Sequence, residues 1–122
     1  MSQAAKPPEA ASYLPLRPAI FLILLQLAEG DCHGYALAKA VRERSEDRVR
    51  LATGPLYRHM KRLLEARLVE ESDRRPTPEQ DDERRRYYRL TDLGREVVAM
   101  DAERMEGLVE ATRRLKLIEK PR

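Results

Sequence analysis

With 122 residues the chain has room for one compact domain and little more. Tryptophan is absent and aromatics make up only 5%, so the core must be aliphatic, as in helical folds; the apolar stretch Ala19–Leu25 is far shorter than the ~20 residues of a membrane span, which excludes an integral helical membrane protein. The formal net charge of +3 is too small to name a partner, but it is unevenly spread: Tyr35 to Val69 hold nine Lys or Arg against four Asp or Glu, whereas Asp92 to Arg122 hold seven of each. The lone cysteine, Cys32, excludes an internal disulfide, and no basic-then-apolar leader precedes the domain, so a soluble cytoplasmic protein is expected.

Residues 1–15, with three prolines and no usable period, read as a flexible N-terminal arm. Arg17-Pro18 starts a first helix, since proline suits a first turn, and Glu29-Gly30-Asp31 ends it. Ala19 to Ala28 is apolar on nearly every side, so this helix needs cover all round, more than so small a monomer supplies. A second helix opens at His33-Gly34-Tyr35 and runs to about Arg44, with Leu37 and Val41 inward and Lys39, Arg42 and Glu43 outward. After a polar connector, Thr53-Gly54-Pro55 begins a third helix, capped by Thr53 or Gly54, that ends near Ala66-Arg67.

Leu68–Asp73 and Arg85–Leu90 read as two strands, joined by a charged loop with two prolines from Arg74 to Arg84. Thr91 caps a last helix from Asp92 to about Ile118, roughly 40 Å long at 1.5 Å per residue. The expected fold is mainly α with a small β-hairpin: a winged helix-turn-helix domain over 16–91, then a long C-terminal dimerisation helix over 92–122.

The third helix is the expected reading head. At 100° per residue, Leu56, Met60, Leu63 and Leu64 share a core face, Arg58, Lys61, Arg62 and Glu65 lie opposite, and Tyr57 sits on the border. A short basic helix following another after a turn is the helix-turn-helix pattern, whose second helix enters the major groove. The expected DNA-contacting residues are Tyr35 and Lys39 on the second helix and Thr53, Gly54, Pro55, Tyr57, Arg58, Lys61 and Arg62 on the third. Gly54 would let the backbone come close to DNA. His59 falls at the core edge and reads as packing or solvent-facing.

Arg84, Arg85 and Arg86 stand at the hairpin, where arginine suits a narrow minor groove. The alternative is that these arginines pair with Glu79, Asp81, Asp82 and Glu83 in the same loop, since residues 70–89 hold seven acids against six bases, and the acidic Gln80-Asp81-Asp82-Glu83 avoids phosphates. In the last helix Val98, Met105 and Thr112 recur every seven residues, Ala102, Val109 and Lys116 form a second row, and Leu108 and Leu115 adjoin. That stripe packs on the chain's own first helix, on a partner's helix, or on both. The expected homodimer interface comprises Ile20, Leu24, Val98, Ala102, Met105, Leu108, Val109, Thr112 and Leu115.

No glycine-rich phosphate loop and no nucleophile–base set argues for an enzyme. Two histidines and one cysteine without ligand spacing give no metal site, and no cofactor is expected. Cys32 reads as a packed or half-exposed thiol, with a redox-sensor role as the sharper alternative.

His33-Gly34-Tyr35, Gly54-Pro55-Leu56-Tyr57-Arg58, Leu63-Leu64-Glu65, Leu68-Val69 and Tyr88-Arg89-Leu90-Thr91-Asp92-Leu93-Gly94 resemble the PadR family of bacterial transcriptional regulators over about Leu16 to Leu117. The resemblance implies a winged helix-turn-helix dimer, usually a repressor, with a single C-terminal dimerisation helix. Family members can respond to small aromatic or drug-like ligands near the dimer interface; a small-molecule effector is left open here, because no residue marks such a pocket. The chain departs from the family in having Arg67 where glycine is usual, Pro55 where threonine or serine is frequent, and a long acidic wing loop. The expected function is therefore sequence-specific recognition of double-stranded DNA, the third helix in the major groove and the wing at the adjacent minor groove. The alternative is a winged-helix module that binds an acidic protein.

Overall fold

The computed structural model describes residues 8–72 and 86–119. The elements run α1 (Pro8–Ala11), α2 (Pro18–Glu29), β1 (Cys32–His33), α3 (Gly34–Arg44), α4 (Thr53–Glu65), β2 (Val69–Glu71), β3 (Tyr87–Leu90) and α5 (Asp92–Arg114). The fold is mostly helical with a small antiparallel sheet, as the hydrophobic periodicities predict.

The core is aliphatic. Ile23, Leu24 and Leu27 of α2 meet Leu37 and Val41 of α3, Leu56, Met60 and Leu63 of α4, and Val97 and Val98 of α5. Each such side chain contributes about 1.5–3 kcal/mol by leaving water. Tyr88 of β3 is the aromatic among them.

Local chemistry sets the helix ends. His33 caps α3, its Nδ1 accepting the Ala36 N–H at 3.3 Å. Thr91 caps α5: its hydroxyl accepts from the Gly94 N–H at 3.0 Å and donates to the Arg67 carbonyl at 2.7 Å. α4 ends in a left-handed residue, Arg67 at φ 62°, which lets the Leu68 N–H reach the Leu63 carbonyl and the Arg67 N–H the Leu64 carbonyl. The turn usually taken by glycine is thus made by an arginine, at about 1 kcal/mol of strain. Gly94 answers a different demand. A Cβ there would lie 2.1 Å from the Leu68 carbonyl oxygen and 2.7 Å from Leu90 Cδ1. Only glycine lets α5 start directly against the hairpin.

The structure departs from the sequence reading in several places. Within the segment expected to be an arm, Pro8–Ala11 forms one helical turn packed on α5, with Ala10 fully buried. A turn so short leaves no periodicity to read; its place depends on a distant helix. β1 was not expected. It pairs Cys32 with Tyr88 and His33 with Tyr87, so the sheet order is β1-β3-β2, with Val69↔Leu90, Glu70↔Arg89 and Glu71↔Tyr88 across the hairpin. Two residues are too few for an alternation signal. Both hairpin strands are shorter than expected, and α5 stops at Arg114 rather than near Ile118. There Lys116 turns left-handed at φ 61° and the Leu117 N–H bonds the Thr112 carbonyl.

Leu24 and Val98, expected at a dimer interface, are buried in the chain's own core rather than on its surface. The inward stripe of α5 runs Gly94, Val97, Val98, Asp101. Asp101 is buried, held by Arg104 Nε at 2.7 Å, while its Oδ2 has no hydrogen-bond partner. No helix among the described residues is long and apolar enough to cross a membrane.

Candidate nucleic-acid interface

α3 and α4 pack through Leu37, Val41, Leu56 and Met60 and leave an open cleft between α3 and the start of α4. The cleft has a volume of about 620 Å³ and is lined by Tyr35, Ala38, Lys39, Arg42, Arg50, Leu51, Ala52, Thr53 and Tyr57. Four expected contact residues (Tyr35, Lys39, Thr53 and Tyr57) therefore share one surface. Tyr35 is 77% exposed and Tyr57 52%, high values for aromatic side chains that packing could have hidden. The Tyr35 ring stacks near His33, which in turn meets Tyr87 edge-on at 5.3 Å, tying the cleft to the sheet.

The head of α4 differs from expectation. Its N-cap is Ala52, in extended conformation and without a side-chain hydrogen bond. Thr53 and Gly54 lie inside the first turn rather than capping it. The Thr53 and Gly54 N–H groups are thus left without a side-chain acceptor at the positive end of a thirteen-residue helix. Pro55 sits in the same turn, where a missing N–H is harmless. A Cβ on Gly54 would meet only the flexible end of Arg58, at 3.6 Å. The fold does not need glycine at 54, although glycine weakens a helix by roughly 0.5–1 kcal/mol.

Arg58, Lys61 and Arg62 are exposed on the outer face of α4, and none forms an ion pair among the described residues. Other basic residues are occupied. Arg42 Nε bonds Asp47 at 2.6 Å, and Arg50 bonds the same carboxylate through Nε at 3.0 Å. These hydrogen bonds, Arg50's first and Arg42's second, hold the Asp47 carboxyl down to about 2. Arg44 pairs with Glu29, and Arg48 with Glu46. All these cations fall in the basic stretch from Tyr35 to Val69, but their ion pairs divide them into committed and unpaired groups.

On the hairpin, Arg86 pairs with Glu71 at 3.4 Å and Arg89 with Glu70 at 2.8 Å. The partner of Arg86 is thus a strand residue rather than a loop acid. Arg84 and Arg85 lie outside the described residues.

On α5, Ala102 is exposed, Met105 and Thr112 are half-buried, and Leu108, Val109 and Leu115 are 57%, 39% and 71% exposed. Ile20 on α2 is half-buried. Burial pushes the Cys32 thiol above its ordinary value, which disfavours the thiolate a redox sensor needs. Among the described residues no group of three or more His, Cys, Asp or Glu could hold a metal ion.

No curated protein matches the chain. Among solved structures, a PadR family transcription regulator from Clostridium difficile superposes with a TM-score of 0.65 at 28% identity, over 81% of this chain and 98% of that one. RosR from H. salinarum gives a TM-score of 0.62 at 27% identity, covering 76% of each chain. A transcriptional regulator from Clostridium thermocellum shares the fold at 22% identity and a TM-score of 0.60, over 90% of this chain and 96% of that one. The family model for PadR-like transcriptional regulators matches residues 23–100, from the core of α2 through the helix-turn-helix and the hairpin into α5. The chain belongs to the PadR-like family of transcriptional regulators.

Proposed function

We propose that the chain is a homodimeric, sequence-specific DNA-binding repressor with no catalytic role, whose α4 enters the major groove while the β2–β3 hairpin approaches the adjacent minor groove. One observation carries this reading. Arg58, Lys61 and Arg62 form no ion pair among the described residues and stand on the outer face of a helix whose N-terminus has no side-chain cap. Three unpaired guanidinium and ammonium groups attract backbone phosphates, and the free Thr53 and Gly54 N–H groups favour an anion at the helix head. Tyr57 and Arg58, at the head of α4, are placed to reach base edges, and Tyr35 and Lys39 to meet the flank across the cleft. The repressor assignment rests on the resemblance to the PadR family, whose members are usually repressors.

The exposed half of α5 supports the dimer. Its inward stripe continues through Met105, Leu108, Thr112 and Leu115 beyond what the subunit's own body covers. A second copy would shield this surface, joined by Ala102 and Val109. Twenty-three residues make α5 about 35 Å long, compatible with two reading helices one DNA turn apart.

Binding to a labelled random duplex, titrated over salt concentration, tests the DNA reading. Log affinity should fall steeply with log salt, and Lys61→Ala should reduce that slope by about one. Absence of binding to any duplex at low salt, with capture of an acidic protein instead, would reverse the assignment. Mass in solution should be twice 14.2 kDa, and Met105→Glu should halve it.

A further inference from the structure

α4 has a second flank, remote from the α3 cleft. His59 and Arg62 lie roughly 140–200° around the helix from Tyr57, at 100° per residue. There they meet Arg17, the residue immediately before α2, around a hollow of about 280 Å³. Tyr13, Leu16 and Ile20 line its apolar floor. Arg17 holds its place through the backbone: its carbonyl accepts the Phe21 N–H at 2.9 Å, while its side chain makes no capping bond. Neither Arg17, His59 nor Arg62 has an ion-pair partner among the described residues. The charges acting on His59 come from Arg62, Arg17 and Arg58, and all are positive.

We infer that Arg17, His59 and Arg62 form a second seat for a DNA backbone phosphate, on the flank of α4 opposite the α3 cleft. The inference rests on α4 lying in the major groove, because the groove walls then bring one sugar–phosphate strand to each side of the helix. Arg17 and Arg62 line one hollow without an acid and repel each other in the free protein, and a phosphate between them removes that repulsion and favours the protonated imidazole of His59. Arg62 joins the seat to the reading helix. Arg17 extends it onto α2, so the start of the first core helix docks against the duplex.

The imidazole makes this seat sensitive to pH. Burial, then Arg62, Arg17 and Arg58, hold His59 below its usual value in the free protein. A phosphate beside it raises that value in the complex, so binding takes up a proton and affinity rises as pH falls through the complex value. Above that value the gain is lost.

The experiment measures duplex affinity by fluorescence anisotropy over a salt series at pH 8 and pH 6. It compares wild type with Lys61→Ala, Arg17→Ala, Arg17→Lys and His59→Gln, and melting curves confirm that each variant is folded. Arg17→Ala should lower the salt slope by about one and Arg17→Lys should restore it, because a phosphate needs only the positive charge. Wild type should bind about tenfold tighter at pH 6 than at pH 8, and His59→Gln should abolish most of that gain. If Lys61→Ala lowers the slope while Arg17→Ala leaves it unchanged and His59→Gln keeps the pH response, the second seat is wrong and the groove reading stands. If wild type binds no duplex at all, both fall.

Discussion

α4 and the β2–β3 hairpin are both rich in arginine, yet they use it differently. Arg58, Lys61 and Arg62 on α4 face solvent and form no ion pair among the described residues, whereas Arg86 and Arg89 on the hairpin are held by Glu71 and Glu70. The glycines differ in the same sense. Gly94 at the foot of the hairpin is demanded by the Leu68 backbone, while Gly54 at the head of α4 is demanded by nothing in the subunit. The described part of the hairpin closes its charges within the chain, and the outer cations of α4 are left without an ion pair among the described residues. Counting positive charge does not distinguish the two; the pairing of each charge does.

The largest effect should come from the hairpin side. Gly94→Ala drives a methyl into a backbone carbonyl, and a backbone cannot rotate aside as a side chain can. A loss of about 3 kcal/mol is expected, or roughly 10 °C in Tm, read from thermal unfolding. An unchanged Tm would mean that α5 does not sit against the hairpin as described.

On α4, Arg58→Ala should weaken duplex binding about ten- to a hundredfold, near 1–3 kcal/mol, with Tm preserved. Anisotropy checks it, and a change below twofold would remove Arg58 from the interface. Asp47→Asn tests the paired class from the other side. It releases Arg42 and Arg50 into the cleft, at a left-handed position (φ 70°) that asparagine tolerates well. Affinity at low salt should rise about three- to tenfold, and the salt slope should steepen by up to about two. Weaker binding would show that the Asp47 clamp organises the cleft rather than neutralising it. Smallest of all, Arg89→Ala should change duplex affinity by less than about twofold and stability by roughly 0.5 kcal/mol, since its exposed ion pair is already closed within the chain. A loss as large as that of Arg58→Ala would erase the distinction.

Much of this protein is legible in the order of its residues. Local rules carry it: proline and glycine at the ends of α2, the amphipathic period of α4, Thr91 ahead of α5, alternation along Tyr87–Leu90. These signals act within a few residues, so sequence alone placed α2, α3, α4, the hairpin and the start of α5, and identified the outer face of α4 as the candidate site. What it could not place depends on residues distant in the chain. The turn at α1 exists because Ala10 meets α5, and β1 because Cys32 and His33 find Tyr88 and Tyr87. Leu24 and Val98 read as interface from their spacing, but their burial is decided by which helices surround them. Asp101 falls on a core-facing stripe where periodicity calls for an apolar side chain, and only packing set its carboxylate against Arg104. Sequence by itself determined the family fold and the basic outer face of α4, since both follow from short-range periodicity and capping. Tertiary structure decided which cations are free, because an ion pair such as Arg89 with Glu70 is closed across nineteen positions of chain and is invisible to composition.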